Sequence, residues 1–308
     1  MHKLLIEVGT TIRSLNAINY RIVQSLGAGG NSLVYLALAL NGEAHGVLFA
    51  LKVFTRVSKP KRLERFQQEA EFLRKCTHPS IMRIYDNGVY HPGTGNDAVR
   101  YPFVIVDYLP ETLDQAMRKP MTTAERVSYT LQLLSALCYL EHYNPPIVHR
   151  DIKPKNIFVK GRSCVLGDFG LMKFLDGERE TKAEREIYRQ AAGPGMPYAY
   201  RSPDLVAYAK GEGDLSAKSD VFQLGLVIAE MFTGVNPSRR PKTLLEPVRL
   251  LGVRHISCSV GLTVQSLIQK MLLMDPPQRP SAVSLLDPWE GIFREVVSHS
   301  HQLNGRVF

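Results

Sequence analysis

His149-Arg150-Asp151-Ile152-Lys153-Pro154-Lys155-Asn156, followed by Asp168-Phe169-Gly170, is the stretch on which the reading of this chain turns. Two carboxylates, an amide and a lysine are spaced across a short polar loop and the hairpin after it. Any one of them is ordinary turn chemistry. In this order they suit phosphoryl transfer at a bound divalent cation: one acid for the attacking hydroxyl, a second acid and an amide oxygen for Mg2+, and a lysine for the migrating charge.

A second cluster lies upstream. Leu26-Gly27-Ala28-Gly29-Gly30-Asn31-Ser32 is a glycine-rich turn, and glycines let backbone N–H groups approach phosphate oxygens without a Cβ in the way. By itself it fits a tight hairpin equally well. A dinucleotide fingerprint needs a helix directly after the glycines, whereas Leu33–Leu40 reads as a strand. A phosphate loop of the Gly-Lys-Ser/Thr kind is excluded because that closing motif is missing. Ala50-Leu51-Lys52-Val53 sets one lysine in an apolar strand, where an unpaired ammonium is costly. Either Lys52 points outward from a sheet edge, or Glu69, on the amphipathic segment Arg62–Cys76, supplies its partner.

From Tyr20 to Val53 the chain alternates strand and turn, with Asn41-Gly42 as one turn, and two further apolar runs follow the Arg62–Cys76 helix. Beyond Pro110 helices dominate. Thr122–Tyr143 begins with a capping box of Thr122 and Glu125, and further helices are predicted over Ser219–Phe232, Val264–Met274 and Trp289–Val297. The 308 residues, 44% hydrophobic and 22% charged, exclude a disordered, collagenous or coiled-coil chain. Cys76, Cys138, Cys164 and Cys258 lie far apart without a Cys-x-x-Cys, so buried reduced thiols are expected rather than zinc or disulfides. Glu7 interrupts the short apolar start, and no apolar run approaches the ~18 residues of a membrane span; a cytoplasmic chain is expected.

Together these motifs resemble the eukaryotic-type (Hanks-type) protein kinases, over roughly residues 20–297. The resemblance implies an α+β, two-lobed fold with a small β-rich N-lobe and a larger α-helical C-lobe. Its divisions would be an N-terminal extension (1–19), an N-lobe (20–106), a hinge (107–110), a C-lobe (111–297) and a tail (298–308). It also implies an ATP- and Mg2+-dependent enzyme (Mn2+ being an alternative ion) acting on protein hydroxyls. Leu26, Gly27, Ala28, Gly29 and Gly30 would cover the ATP phosphates, with Val34 and Ala50 above the adenine and Phe158 below it. Lys52 would bind the α- and β-phosphates and pair with Glu69. Val106 would be the gatekeeper, before a hinge of Asp107, Tyr108 and Leu109. Asp151 would orient the substrate hydroxyl, Lys153 steady the γ-phosphate, and Asn156 and Asp168 hold the metal. Structural roles fall to Asp204, which would pair with Arg279, and to Asp220, which would anchor the catalytic loop. Lys153 two residues after Asp151 is the serine/threonine form of that loop.

The chain also departs from the family pattern. Ser32 replaces the third glycine, Asp204 replaces a glutamate, and Pro197 or Met196 stands where a threonine usually contacts Asp151 and Lys153. The usual activating phosphosite aligns near Gly193, leaving Thr181 and Tyr188 as the nearby hydroxyls. Activity independent of phosphorylation there is therefore expected, with the charged stretch Glu178–Arg189 ordering the segment as a short exposed helix. A nucleotide-binding pseudokinase scaffold is the alternative reading, and a small-molecule acceptor ranks after it. The net charge of +9 concentrates in two patches. Residues 56–65 carry five basic residues against Glu64, and 239–254 carry five against Glu246. These suit an acidic protein partner rather than nucleic acid, with solvated surface as the competing reading.

Overall fold

Alternation along the early strands decides the first unit. In the computed structural model, which describes residues 4–29, 31–93, 99–176, 185–186, 188–189 and 198–304, the chain divides into two compact units at Leu109/Pro110. The first is a six-stranded antiparallel sheet of β1 (Thr11–Arg13), β2 (Asn19–Ala28), β3 (Ser32–Ala39), β4 (Leu48–Phe54), β5 (Ile84–Tyr90) and β6 (Tyr101–Asp107), ordered β1-β2-β3-β4-β6-β5. One face carries Tyr20, Ile22, Tyr35, Ala37, Leu51, Val53, Phe103 and Ile105 into a common core. Residues before Tyr20, read from sequence as an extension, supply Ile6 and Ile12 to that core, and the Ile6 N–H donates to the Tyr35 hydroxyl at 3.1 Å. The Asn41-Gly42 turn forms as predicted. Gly42 has φ +77°, and a Cβ there would meet Ile18 Cδ1 at 2.4 Å. Helix α1 (Pro60–Lys75) packs through Phe66, whose ring stacks on Phe54 with centroids 5.1 Å apart.

The second unit is mostly helical. It opens with β7 (Glu111–Thr112) and the single turn α2 (Leu113–Ala116), then α3 (Thr123–His142). The capping box is present: Thr122 Oγ1 accepts from the Glu125 N–H at 3.2 Å, and Glu125 Oε2 accepts from the Thr122 N–H at 2.8 Å. Small ladders follow, β8 (Ile147–Val148) pairing with β11 (Lys173–Phe174), and the hairpin β9 (Ile157–Lys160) with β10 (Ser163–Leu166). The remaining helices are α4 (Pro203–Lys210), α5 (Lys218–Thr233), α6 (Gly261–Met271) and α7 (Ala282–Asn304).

Helix α5 is the centre of this unit, with Val221, Phe222, Leu224, Leu226, Val227 and Ile228 all buried. Gly225 lets α6 approach it closely, since a Cβ there would lie 2.9 Å from Met271 Cβ. Two predicted helices shift their boundaries. Helix α6 starts at Gly261 rather than Val264 and stops at Met271. Helix α7 starts at Ala282 rather than Trp289, running through Pro288 because buried Ala282, Leu285, Trp289 and Ile292 form one continuous apolar stripe. Cys76 and Cys164 are buried as expected, whereas Cys138 and Cys258 are only half-buried. Among the described residues, no helix is long and apolar enough to cross a membrane.

Candidate active site

In the first unit, strand register gathers the sequence-predicted residues on the sheet face opposite the core. Val34 pairs with Lys52 and Gly27 with Val34 across the β2–β3–β4 ladder, and Ala50 pairs with Val106 across β4–β6. The two-residue period therefore places Val34, Ala50, Lys52 and Val106 on one face. Gly27 takes φ +147°, a conformation that favours glycine. Leu26 and Ala28 lie on the same strand, Gly29 follows it with its N–H donating to the Ser32 carbonyl at 2.8 Å, and Gly30 lies outside the described residues. Lys52 does not point to solvent: its Nζ is 2.9 Å from Oε1 of the buried Glu69. Asp107 ends β6 and accepts from the Tyr85 hydroxyl at 2.9 Å, while Tyr108 and Leu109 follow it half-buried.

The second unit holds the other cluster. Lys153 Nζ lies 2.9 Å and 2.7 Å from the two oxygens of Asp151. Asn156 Nδ2 donates both to the Asp151 carbonyl (2.9 Å) and to its Oδ2 (2.8 Å). Asp151 is buried, and burial pushes its carboxyl up to about 6 even though Lys153 favours the charged form. Asp168, at the mouth of the β10–β11 connection, is exposed and takes φ +57°. Arg150, directly before Asp151, takes φ +69°. Two non-glycine residues in the left-handed region at the predicted chemistry mark a loop held in place by its surroundings. Phe158 lies on β9, opposite Val165 and Thr112.

Much of that holding comes from α5. Asp220 accepts from the backbone N–H groups of His149 (2.7 Å) and Arg150 (2.9 Å). Gln223, which no sequence motif marks, accepts from the Ile152 N–H (3.1 Å) and donates to the carbonyls of Arg150 (3.3 Å) and Tyr200 (2.9 Å). A lone amide in an otherwise apolar helix stretch was the signal available for it. His149 Nδ1 accepts from the Asp151 N–H (3.3 Å), so Nε2 carries the proton toward the Gly167 carbonyl (3.1 Å). That neutral ring packs edge-on to Phe169 at 4.5 Å, and burial holds it down to about 4.

Asn156 and Asp168 suit a hard divalent cation. Both Asn156 N–H groups face Asp151, which leaves its amide oxygen available as a hard donor; the exposed Asp168 follows Gly167, whose N–H donates to the Asn156 carbonyl at 2.9 Å. Asp204 and Arg279 pair at 3.2 Å. Gly193, Met196, Pro197 and Thr181 lie outside the described residues, as does most of Glu178–Arg189. Within that stretch Arg185, Glu186, Tyr188 and Arg189 are helical. Tyr188 corrects the expectation of an exposed helix, because its side chain is wholly buried. The apolar environment of Leu205, Tyr208 and Leu215 outweighs the charged neighbours in sequence.

Residues 20–289 match the protein kinase domain family, and the chain belongs to that family. It is 30% identical over 270 residues to a probable serine/threonine-protein kinase of Dictyostelium discoideum, covering 85% of this chain and 15% of that protein. It is 29% identical to serine/threonine-protein kinase tousled-like 2 of Xenopus tropicalis, covering 71% of this chain and 31% of that one. Protein-tyrosine kinase 6 of Mus musculus is 28% identical, covering 89% of this chain and 57% of its own length. The chain thus spans less than two thirds of each of these relatives.

Proposed function

We propose that this protein is a serine/threonine protein kinase that uses ATP and Mg2+. The observation that carries the reading is the cluster Asp151, Lys153 and Asn156, a carboxylate held at both oxygens by a lysine and at one by an amide. Asp151 accepts the proton of the substrate hydroxyl as its oxygen bonds to the γ-phosphorus, while the bond to the β–γ bridging oxygen breaks and ADP leaves. Lys153 balances charge on the phosphoryl group in flight. Lys52, fixed by Glu69, holds the α- and β-phosphates, under a turn built by Leu26, Gly27, Ala28 and Gly29. Val34, Ala50, Val106 and Phe158 supply apolar surface for the adenine, and Asp107 and Leu109 backbone groups for its edge. Asn156 and Asp168 would hold the cation, Mg2+ or Mn2+, which neutralises phosphate charge when bound. The serine/threonine preference rests on Lys153.

The acceptor is a protein. An acidic partner is proposed at the two basic patches. In the second, the Arg239 N–H donates to the Arg249 carbonyl at 2.8 Å, pairing two exposed arginines beside Arg240 and Lys242. In the first, Arg62 is already engaged with Asn31 Oδ1 at 2.7 Å, which ties the start of α1 to the glycine-rich turn.

The test compares phosphate transfer from labelled ATP, to generic protein substrates and to itself, by the wild type and by Asp151→Asn. Transfer by the wild type, reduced at least about a thousandfold in the variant, is the expected result. If the wild type is as silent as Asp151→Asn while nucleotide still binds, the pseudokinase reading replaces this one.

A further inference from the structure

Tyr188 sits where the sequence pattern leads one to look for a modified, exposed hydroxyl, yet it is 0% exposed. Its ring centroid is 5.1 Å from the guanidinium carbon of Arg150, and it meets Tyr208 edge-on at 5.8 Å. Tyr208 in turn lies 5.7 Å from the same guanidinium. Arg150 is 1% exposed. Its Nε donates to the Leu171 carbonyl, its Nη2 to the Met172 carbonyl (3.3 Å) and its Nη1 to the Tyr208 hydroxyl (3.2 Å). One arginine thus joins the loop bearing Asp151 to the residues between Asp168 and β11, and aromatic rings cover its face. The segment bearing Tyr188 is anchored independently: Arg189 Nε donates to the Ala209 carbonyl at 2.7 Å, and Arg185 lies 5.7 Å from the Tyr208 ring.

The hydroxyl of Tyr188 makes no hydrogen bond among the described residues. What the site uses is therefore the ring. A buried guanidinium is stabilised by an aromatic face through the ring quadrupole, most strongly where water is excluded. A phosphate approaching Arg150 would have to expel that ring.

We infer that Tyr188 is a positioning residue for phosphoryl transfer: its ring covers Arg150 and fixes the loop that presents Asp151, doing the work a phosphorylated activation segment would otherwise do. This rests on the kinase reading above. The geometry accounts for a segment whose usual phosphosite aligns with glycine, and it removes Tyr188 itself as an accessible phosphate acceptor.

Tyr188→Phe keeps the ring and drops a hydroxyl without a partner. Tyr188→Leu keeps apolar bulk and loses the ring. With the full chain, transfer from ATP to dephosphorylated casein is expected to run within about twofold of wild type for Tyr188→Phe and about tenfold slower in kcat for Tyr188→Leu. The KM for ATP should not change, because Arg150 acts on Asp151 rather than on nucleotide. Phosphatase-treated wild type should keep its rate. The inference is overturned if Tyr188→Leu matches wild type, if Tyr188→Phe falls as far as Tyr188→Leu, or if phosphatase treatment removes the activity. Should Tyr188→Leu fail to fold, the other two arms decide, and both must hold. A wild type that transfers no phosphate refutes the kinase reading and this inference with it; an active wild type with an equally active Tyr188→Leu refutes this inference alone.

Discussion

Asp204→Ala is expected to lower the thermal midpoint by about 10 °C, and the structure says why Asp204→Asn should cost much less. Asp204 Oδ1 lies 3.2 Å from Arg279 Nη1, with both side chains almost completely out of water. Removing one partner of such a pair strands a buried charge, typically at a cost of about 3–5 kcal/mol. Arg279 keeps other support: its Nε donates to the Leu273 carbonyl (3.0 Å), its Nη1 to the Lys218 carbonyl (2.5 Å), and its guanidinium lies 4.9 Å from the Phe222 ring. That places alanine near the lower end, about 3 kcal/mol. For a unit of this size each kcal/mol moves the midpoint by ~2–4 °C.

Asparagine is different because Oδ2 of Asp204 makes no hydrogen bond among the described residues. Replacing that oxygen with an amide loses no hydrogen bond among the described residues, and Oδ1 still accepts. Only the charge is lost, about 1–2 kcal/mol or roughly 3–6 °C. Scanning calorimetry and urea unfolding of the full chain measure both variants. Equal losses for alanine and asparagine, or an alanine loss under about 1 kcal/mol, would refute the reasoning.

Two further outcomes concern pH. Because burial raises Asp151 to about 6 and the proposed mechanism uses its carboxylate, kcat/KM is expected to fall tenfold per unit as pH drops below about 6; a rate that stays flat down to pH 5 would count against Asp151 as the proton acceptor. His149 makes stability depend on pH in the same direction. An unfolded histidine takes up a proton near pH 6.5, whereas buried His149 stays neutral until about 4. Between those values the unfolded state binds more protons, so this residue's contribution to stability grows as pH rises and is lost as pH falls. The stability gap between wild type and His149→Asn should widen by about 3 kcal/mol from pH 4 to pH 7; a gap independent of pH would exclude the neutral buried ring.

How much of this was legible beforehand follows from the range of each interaction. The Thr122–Glu125 capping box lies within one helical turn, and so does the apolar period of α1; both form as read. Boundaries failed where a local signal competed with packing. A proline ordinarily interrupts a helix, yet α7 passes through Pro288 because the residues on either side bury a single stripe. Gln223 could not be ranked from its neighbours: its value lies in reaching Ile152 and Tyr200, distant in sequence and adjacent only in the fold.

Sequence alone determined the chemistry available to this protein. In type and order, Lys52, Glu69, Asp151, Lys153, Asn156 and Asp168 are the groups from which phosphoryl transfer is proposed, since residue type and short spacing dictate what groups can be offered. Tertiary structure decided how those groups are held. Whether Lys52 faces water or Glu69 depends on a helix packing over a strand. Whether Tyr188 is a surface hydroxyl or a buried ring over Arg150 depends on α4. Burial and contact between residues far apart in the chain set charge state, accessibility and position, and no local pattern encodes them.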